Sequence, residues 1–407
     1  MSIEQGTGRV DIEALIEFVR EHRDEDTVAL LLKQERYRGV DMGLVAQQIE
    51  GWRRAAVKWP SLAHCETFLY PPRLNCEQSS SEATARYKCE VVAPRRSRGA
   101  AVADLTGGMG IDSMALAALE GCTVDYVERD AELCRLMAHN VGQLGLKNVR
   151  VCCGDGLEWL ARQERPQFDL LYIDPARRDS RGRKVAAFED CTPDIGQNLD
   201  LLKRKARLLM VKASPMMDID SGAAVLGPGT EVHVVAVGGE CKELLFLWDA
   251  ERGEAPLTIH CIDIVEGVAR DFVFCREEER QCDGRYATQV GRYLYEPDAA
   301  LMKGGPFKLI GMRQDVEQLG RNTHLYTSDT LREWPRGRRW EVVCPLQLSR
   351  KAVAAVLPGG RAHVVTRNYP ERAEELQRRL GLKEGGDLFV VATTVGRQRC
   401  AMLCKSV

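Results

Sequence analysis

A chain of 407 residues, 44% hydrophobic and 29% charged, has room for two to four domains and the balance of an ordinary globular protein. It has no run of about 18 apolar residues, which argues against a membrane-spanning helix, and its first residues lack the basic-then-apolar layout of a secretory leader, so a cytoplasmic protein is expected. The net charge of −2 conceals a basic end: residues 331–407 carry 15 Lys and Arg against 7 Asp and Glu, the rest 42 against 52, a distribution suited to a polyanionic partner. The fifteen cysteines are scattered without a C-x-x-C pair and there are only seven histidines, so reduced thiols and no metal site are expected.

Residues 1–92 read as a helical domain. Ile12, Leu15, Ile16 and Val19 fall on one helical face, and Val45, Ile49 and Trp52 repeat the spacing. Trp59-Pro60 and Pro71-Pro72 interrupt it. The polar cluster from Glu77 runs into a helix that Ser79, Ser80 or Ser81 can cap. It either does only that or folds over the pocket formed by the residues that follow.

That pocket begins at Ala101. Three apolar residues end in Asp104, a turn with three glycines follows, and Met114, Leu116, Ala117 and Leu119 continue at helical spacing. The pattern is strand, tight turn and helix, whose free N-terminal N–H groups suit a nucleotide ligand. Gly108 and Gly110 allow close approach of backbone to ligand. The G-x-G-x-x-G spacing of dinucleotide binders is missing, because Ser occupies position 113. Further strands are predicted over 122–127, 149–153, 168–173 and 208–212, with a closing antiparallel pair at 232–237 and 244–248. Asp104, Glu128, Asp155 and Asp174 thus stand at four successive strand ends, where open α/β sheets bind their ligands. Each alone could be a turn or capping residue.

These motifs resemble those of class I S-adenosylmethionine-dependent methyltransferases. The resemblance implies a Rossmann-like α/β sheet over residues 93–250, with S-adenosyl-L-methionine as cofactor. Asp104 to Gly110 matches the first motif, with Thr106 where many members have Gly, and Glu128 and Asp155 match the second and third. DPARRD, Asp174 to Asp179, matches the fourth, at the methyl-transfer centre. GGMGID and Glu128-Arg129 further resemble bacterial ribosomal-RNA guanine methyltransferases, which implies Asp112 and Arg129 in the cofactor site beside Asp104, Thr106, Gly108, Gly110, Glu128 and Asp155. The expected catalytic residues are Asp174, Pro175 and Arg177. Amino-directed relatives often have Pro-Pro and an aromatic after the acidic residue, where this chain has Ala176 and Arg177; an Arg plane can also stack on a base. Arg178, Arg181, Arg183 and Lys184 would add a basic rim that contacts phosphate. DPAR also occurs in uracil-C5 methyltransferases, but Ala213-Ser214-Pro215 lacks their attacking cysteine.

The stretches EQSSSEATARYK, DPARRD, VKASPMMDID, YLYEPDAALMKGGPFKL and RNYP resemble bacterial methyltransferases that carry a ferredoxin-like module and a C-terminal THUMP-like domain. On that resemblance 251–330 is ferredoxin-like and 331–407 THUMP-like. Strands are expected at 257–264, 272–275, 307–311, 341–346, 362–366 and 388–394, and helices at 370–380 and within 293–305, starting near Pro297 and Asp298 and stopping at Gly304-Gly305. THUMP domains bind RNA in RNA-modifying enzymes, so structured rRNA or tRNA is the implied partner. Arg336, Arg338 and Arg339 beside Trp334 and Trp340 either stack on single-stranded RNA or pack into the module's core. The expected function is methyl transfer to a base nitrogen of RNA. The alternative is an RNA-binding or ribosome-assembly protein with the fold and no catalysis.

Overall fold

A computed structural model of the chain describes residues 2–5, 8–37, 39–95, 99–165, 167–177, 187–334 and 336–407. It has two compact units, residues 1–230 with 244–255, and 231–243 with 256–407. No described helix is long and apolar enough to cross a membrane.

The first unit is built on strands β1 (Ala101–Asp104), β2 (Thr123–Glu128), β3 (Val149–Cys153), β4 (Phe168–Ile173) and β5 (Ala206–Ala213). They lie in the order β3-β2-β1-β4-β5 and all run parallel. Leu244–Asp249 returns antiparallel along β5, with Leu244 opposite Ala213. The apolar runs of β1 and β4 are buried throughout their central residues, as strands covered on both faces require. The order reverses beside β1, so its carboxyl end opens onto the crevice where such sheets bind ligands.

The N-terminal layer is not a separate body. Helix α1 (Met42–Lys58) is capped by Asp41, whose Oδ1 accepts from Leu44 N. It buries Val45 and Ile49 in a core shared with Leu133 and Leu136 of the helix after β2. Trp59, Phe68 and Tyr70 join a second core with Tyr126 and Met137. Asn140 clamps the junction, accepting from Leu69 N and donating to its carbonyl oxygen, both at 2.9 Å. Each large apolar side chain buried there contributes about 1.5–3 kcal/mol, so this layer and the sheet are expected to unfold together. Helix α2 (Glu82–Val92) has the expected serine cap, Ser81 Oγ accepting from Thr84 N.

In the second unit, Glu231–Val237 pairs in parallel with Thr258–Ile264, which in turn pairs antiparallel with Val268–Cys275. This groups 231–243 with the C-terminal residues, although the sequence reading ended the sheet domain at 250. The ferredoxin-like and THUMP-like segments share one seven-stranded sheet, because Tyr293–Glu296 pairs with Arg338–Glu341 across their boundary. Residues 307–311, expected as a strand, form a helix instead (Phe307–Arg313). Its free N–H groups at Lys308 and Leu309 donate to the buried Glu279 carboxylate, each at 3.0 Å, a cap supplied from outside the segment. Trp334 and Trp340 are core residues, 7% and 1% exposed, and Trp334 Nε1 donates to the Glu296 carbonyl. The buried Arg336 pairs with Asp298 at 2.9 Å. Of the two readings of these tryptophans, core packing is the one observed: Trp340 lies within a strand and Trp334 packs against Tyr295 and Tyr326.

Candidate active site

The turn after β1 leads into α3 (Ile111–Ala117) and is held by its neighbours. Leu105 N donates to the Tyr172 carbonyl, and Gly107 N to that of Val127. Tyr126 Oη donates to the Gly108 carbonyl at 2.6 Å. A Cβ on Gly107 would stand 2.2 Å from the Tyr126 ring, and one on Gly110, at φ +84°, 2.4 Å from Met137 Sδ. Those two glycines therefore serve packing. Gly108, at φ +54°, would meet nothing nearer than 3.8 Å, and Gly154, beyond β3, nothing within 4 Å. Open space at these two backbones forms a cradle at the strand ends.

Four acidic residues lie at the carboxyl ends of adjacent parallel strands, as expected, but their surroundings differ. Asp104 is 1% exposed; Oδ2 accepts from Ser113 Oγ at 2.6 Å and Oδ1 from Thr106 N at 3.1 Å. Burial pushes its carboxyl up to about 7 despite those hydrogen bonds, and the charges of Asp112 and Asp174 add to the effect. In the unfolded chain an Asp titrates near about 3.9. Between there and about 7 the folded state binds the extra proton, so this group's stabilising effect is lost as pH rises through that window. We expect urea unfolding to show the decline, at most about 1.4 kcal/mol per pH unit, and Asp104→Asn to flatten it. An unchanged pH slope in that variant would assign the dependence elsewhere.

Glu128 is half-buried and grips the turn: Oε2 accepts from Gly108 N at 2.8 Å and Oε1 from Asp130 N at 2.9 Å. A carboxylate has about four acceptor positions, so capacity for further donors remains. Asp155 is exposed and caps the next helix, accepting from Leu157 N and Glu158 N. Arg129 is exposed beside Glu128. At the end of β4, Asp174 N donates to Thr106 Oγ1 at 2.7 Å, tying the fourth motif to the first; Pro175 is buried. Arg177 is placed by its backbone alone, opposite Cys191 in a two-residue ladder. The rim of Arg178, Arg181, Arg183 and Lys184 lies outside the described residues, as does the Arg177 side chain.

Asp112, which the resemblance puts in the cofactor site, is largely enclosed. In the first turn of α3 it is 9% exposed, and its Oδ2 accepts from Ser80 Oγ at 2.7 Å and Tyr172 Oη at 2.8 Å. Lys88 Nζ, fully buried, sits 3.2 Å from its Oδ1 and donates to Ser80 Oγ at 3.1 Å. Burial pushes the Asp112 carboxyl up, but the charges of Lys88 and Lys212 and the two hydrogen bonds outweigh it and hold it below the ordinary value. The carboxylate is a brace between the N-terminal layer and the sheet. The serine cluster thus caps a helix and also bonds to the turn's helix.

Two lysines were missed by reading the sequence. Lys212, the penultimate residue of the apolar run of β5, donates to Asp174 Oδ2 at 2.5 Å. Its charge also reaches Lys58, whose pKa burial lowers to about 8, with Lys212 the next cause. Lys88 falls on the apolar face Ala85, Lys88, Cys89, Val92 of α2. A lone lysine in each apolar pattern was the available signal.

A five-stranded parallel sheet with an antiparallel sixth strand, and carboxylates ringing a glycine cradle at the strand ends, has the architecture of a nucleoside-dependent transferase. Comparison with known proteins agrees. A ferredoxin-like domain profile matches residues 293–335 and a THUMP domain-like profile matches 337–406. A crystal structure from Porphyromonas gingivalis W83, described as a candidate methyltransferase, superposes over 100% of both chains with TM-score 0.87 and 30% identity. An uncharacterized S-adenosylmethionine-dependent methyltransferase of Mycobacterium tuberculosis H37Rv is 29% identical over 327 residues, 79% of this chain and 83% of that one. Ribosomal RNA small subunit methyltransferase J of Laribacter hongkongensis is 30% identical over 121 residues, 27% of this chain and 41% of that one. The chain belongs to the family of class I S-adenosylmethionine-dependent methyltransferases with ferredoxin-like and THUMP-like C-terminal domains. It is an enzyme of that class, with S-adenosylmethionine as its cofactor.

Proposed function

We propose that the enzyme methylates a base nitrogen of structured RNA, ribosomal or transfer. The observation that carries this reading is the joined end of β1 and β4, where Thr106 links the glycine turn to an Asp174 already engaged by Lys212. The open backbone at Gly108 and Gly154 would let a nucleoside approach closely, and Glu128 keeps acceptor capacity for ribose hydroxyls. Asp104, Thr106, Gly108 and Gly110 would border the methionine end, Glu128, Arg129 and Asp155 the adenosine. Bound there, the cofactor supplies an electrophilic methyl group on sulfur.

The chain's residues then have mainly to position the acceptor. Asp174 Oδ1 and the backbone beside Pro175 would accept from the target amine and aim its lone pair. Lys212 holds the carboxylate in one orientation from the other oxygen. Arg177 would lie against the base face. The absence of a cysteine at Ser214 favours direct transfer to nitrogen over covalent addition to the base. The RNA assignment draws support from the similarity to the ribosomal RNA enzyme, from the THUMP-like match and from the basic surplus of 331–407.

The test incubates purified protein and tritium-labelled S-adenosylmethionine with total RNA from cells lacking this chain. Label in RNA, followed by mass spectrometry of its nucleosides, is the expected result and identifies the base. Label confined to protein or small molecules would overturn the RNA assignment.

A further inference from the structure

Among the described residues, one cluster of metal-ligating side chains has no part in the site above. Glu231, His233 and His260 offer ligand atoms that all lie within 4.8 Å of one another. The topology puts them together. His233 and His260 are direct partners across the parallel strand pair, and Glu231, two residues before His233, shares that face. We propose that these three residues form a binding site for a borderline divalent cation of the zinc class.

The donor set is two imidazoles and one carboxylate, which suits such a cation and leaves one position open in a tetrahedral shell. His233 Nε2 and Glu231 Oε1 are 3.0 Å apart, close to the roughly 3.3 Å between donors on one zinc ion. Glu231 and His233 are 1% and 3% exposed. A carboxylate that deeply buried gains most from a partner of fixed charge. The third ligand brings its own support: His260 Nδ1 lies 2.8 Å from Asp271 Oδ2. This arrangement leaves Nε2 to carry the lone pair, the carboxylate–histidine pairing that orients metal-binding imidazoles. His260 retains 18% side-chain exposure and Asp271 39%, so an ion has a way in. The two rings stack with centroids 4.3 Å apart and planes 2° from parallel, and His260, the more exposed, must tilt for both nitrogens to reach one ion. The sequence spacing gave no hint of this site, because its residues come from two strands separated by a hairpin and loop.

Calorimetric titration of zinc into metal-stripped full-length protein tests it. We expect about one equivalent bound, with His260→Ala weakening affinity at least 100-fold and Asp271→Asn about 10–100-fold. Both positions are partly exposed, so these variants keep the test open if His233→Ala fails to fold. Cobalt(II) should give visible d–d bands without strong thiolate charge transfer. The proposal is overturned by no uptake, by binding that survives His260→Ala, or by a thiolate spectrum, which would place the ion on the cysteines.

Discussion

Asp174→Ala should lower kcat for RNA methylation about 10²–10⁴-fold, the range lost with a polar group acting at the reacting centre, while S-adenosylmethionine affinity stays within about threefold. The split follows from the geometry. The backbone N–H of residue 174, which bonds to Thr106 Oγ1, survives the substitution, so the glycine turn keeps its shape. What is lost is the carboxylate that Lys212 holds in place. Asp174→Asn should fall between, since a carbonyl oxygen still accepts from the amine but no longer attracts the ammonium. Single-turnover transfer of labelled methyl, with cofactor binding by calorimetry, reads both quantities. Equal losses in both would make Asp174 a structural residue, and an unchanged rate would remove it from the reaction.

The largest stability effect is expected at Lys88. Lys88→Met keeps the length and buried volume of the side chain but leaves the carboxylate of Asp112 without its buried cation. Breaking a buried pair from one side costs about 3–5 kcal/mol, a large share of a domain's stability. Asp112→Asn alone should cost a similar amount, because it strands the buried ammonium of Lys88 even though Ser80 and Tyr172 can still donate to the amide oxygen. The double variant should recover a good part of the Lys88→Met loss, as a double-mutant cycle for coupled neighbours requires. Urea unfolding of the four proteins gives the coupling energy; additive losses would mean that lysine and carboxylate do not depend on each other. Because α2 and α3 meet through this contact, the variant should also loosen the glycine turn and raise KM for the cofactor.

Much of the sheet was legible because its signals are local. Buried parallel strands write themselves as short apolar runs, and β1, β2, β3, β4 and β5 all lie within two residues of the expected positions. The strand-end carboxylates follow from the same regularity, one per βα unit. Helix Ala299–Gly304 began after Asp298 and stopped at Gly305, in the left-handed conformation at φ +79°, as a capping residue and a glycine stop predict. The segment 307–311 misled because its apolar spacing fits either period, and the carboxylate that decides for a helix, Glu279, lies about thirty residues earlier.

By itself the sequence determined the class of sheet, the glycine turn and the row of acids at its open edge, since each depends on residues close together in the chain. Only the tertiary structure decided what those acids do: that Asp112 braces α2 through Lys88, that Lys212 holds Asp174, and that Trp334 and Trp340 belong to a core rather than a binding face. The physical reason is that a charge or an aromatic ring takes its role from what surrounds it. Those surroundings come from residues 24 to 38 positions away, or further, brought close by packing that no local pattern records.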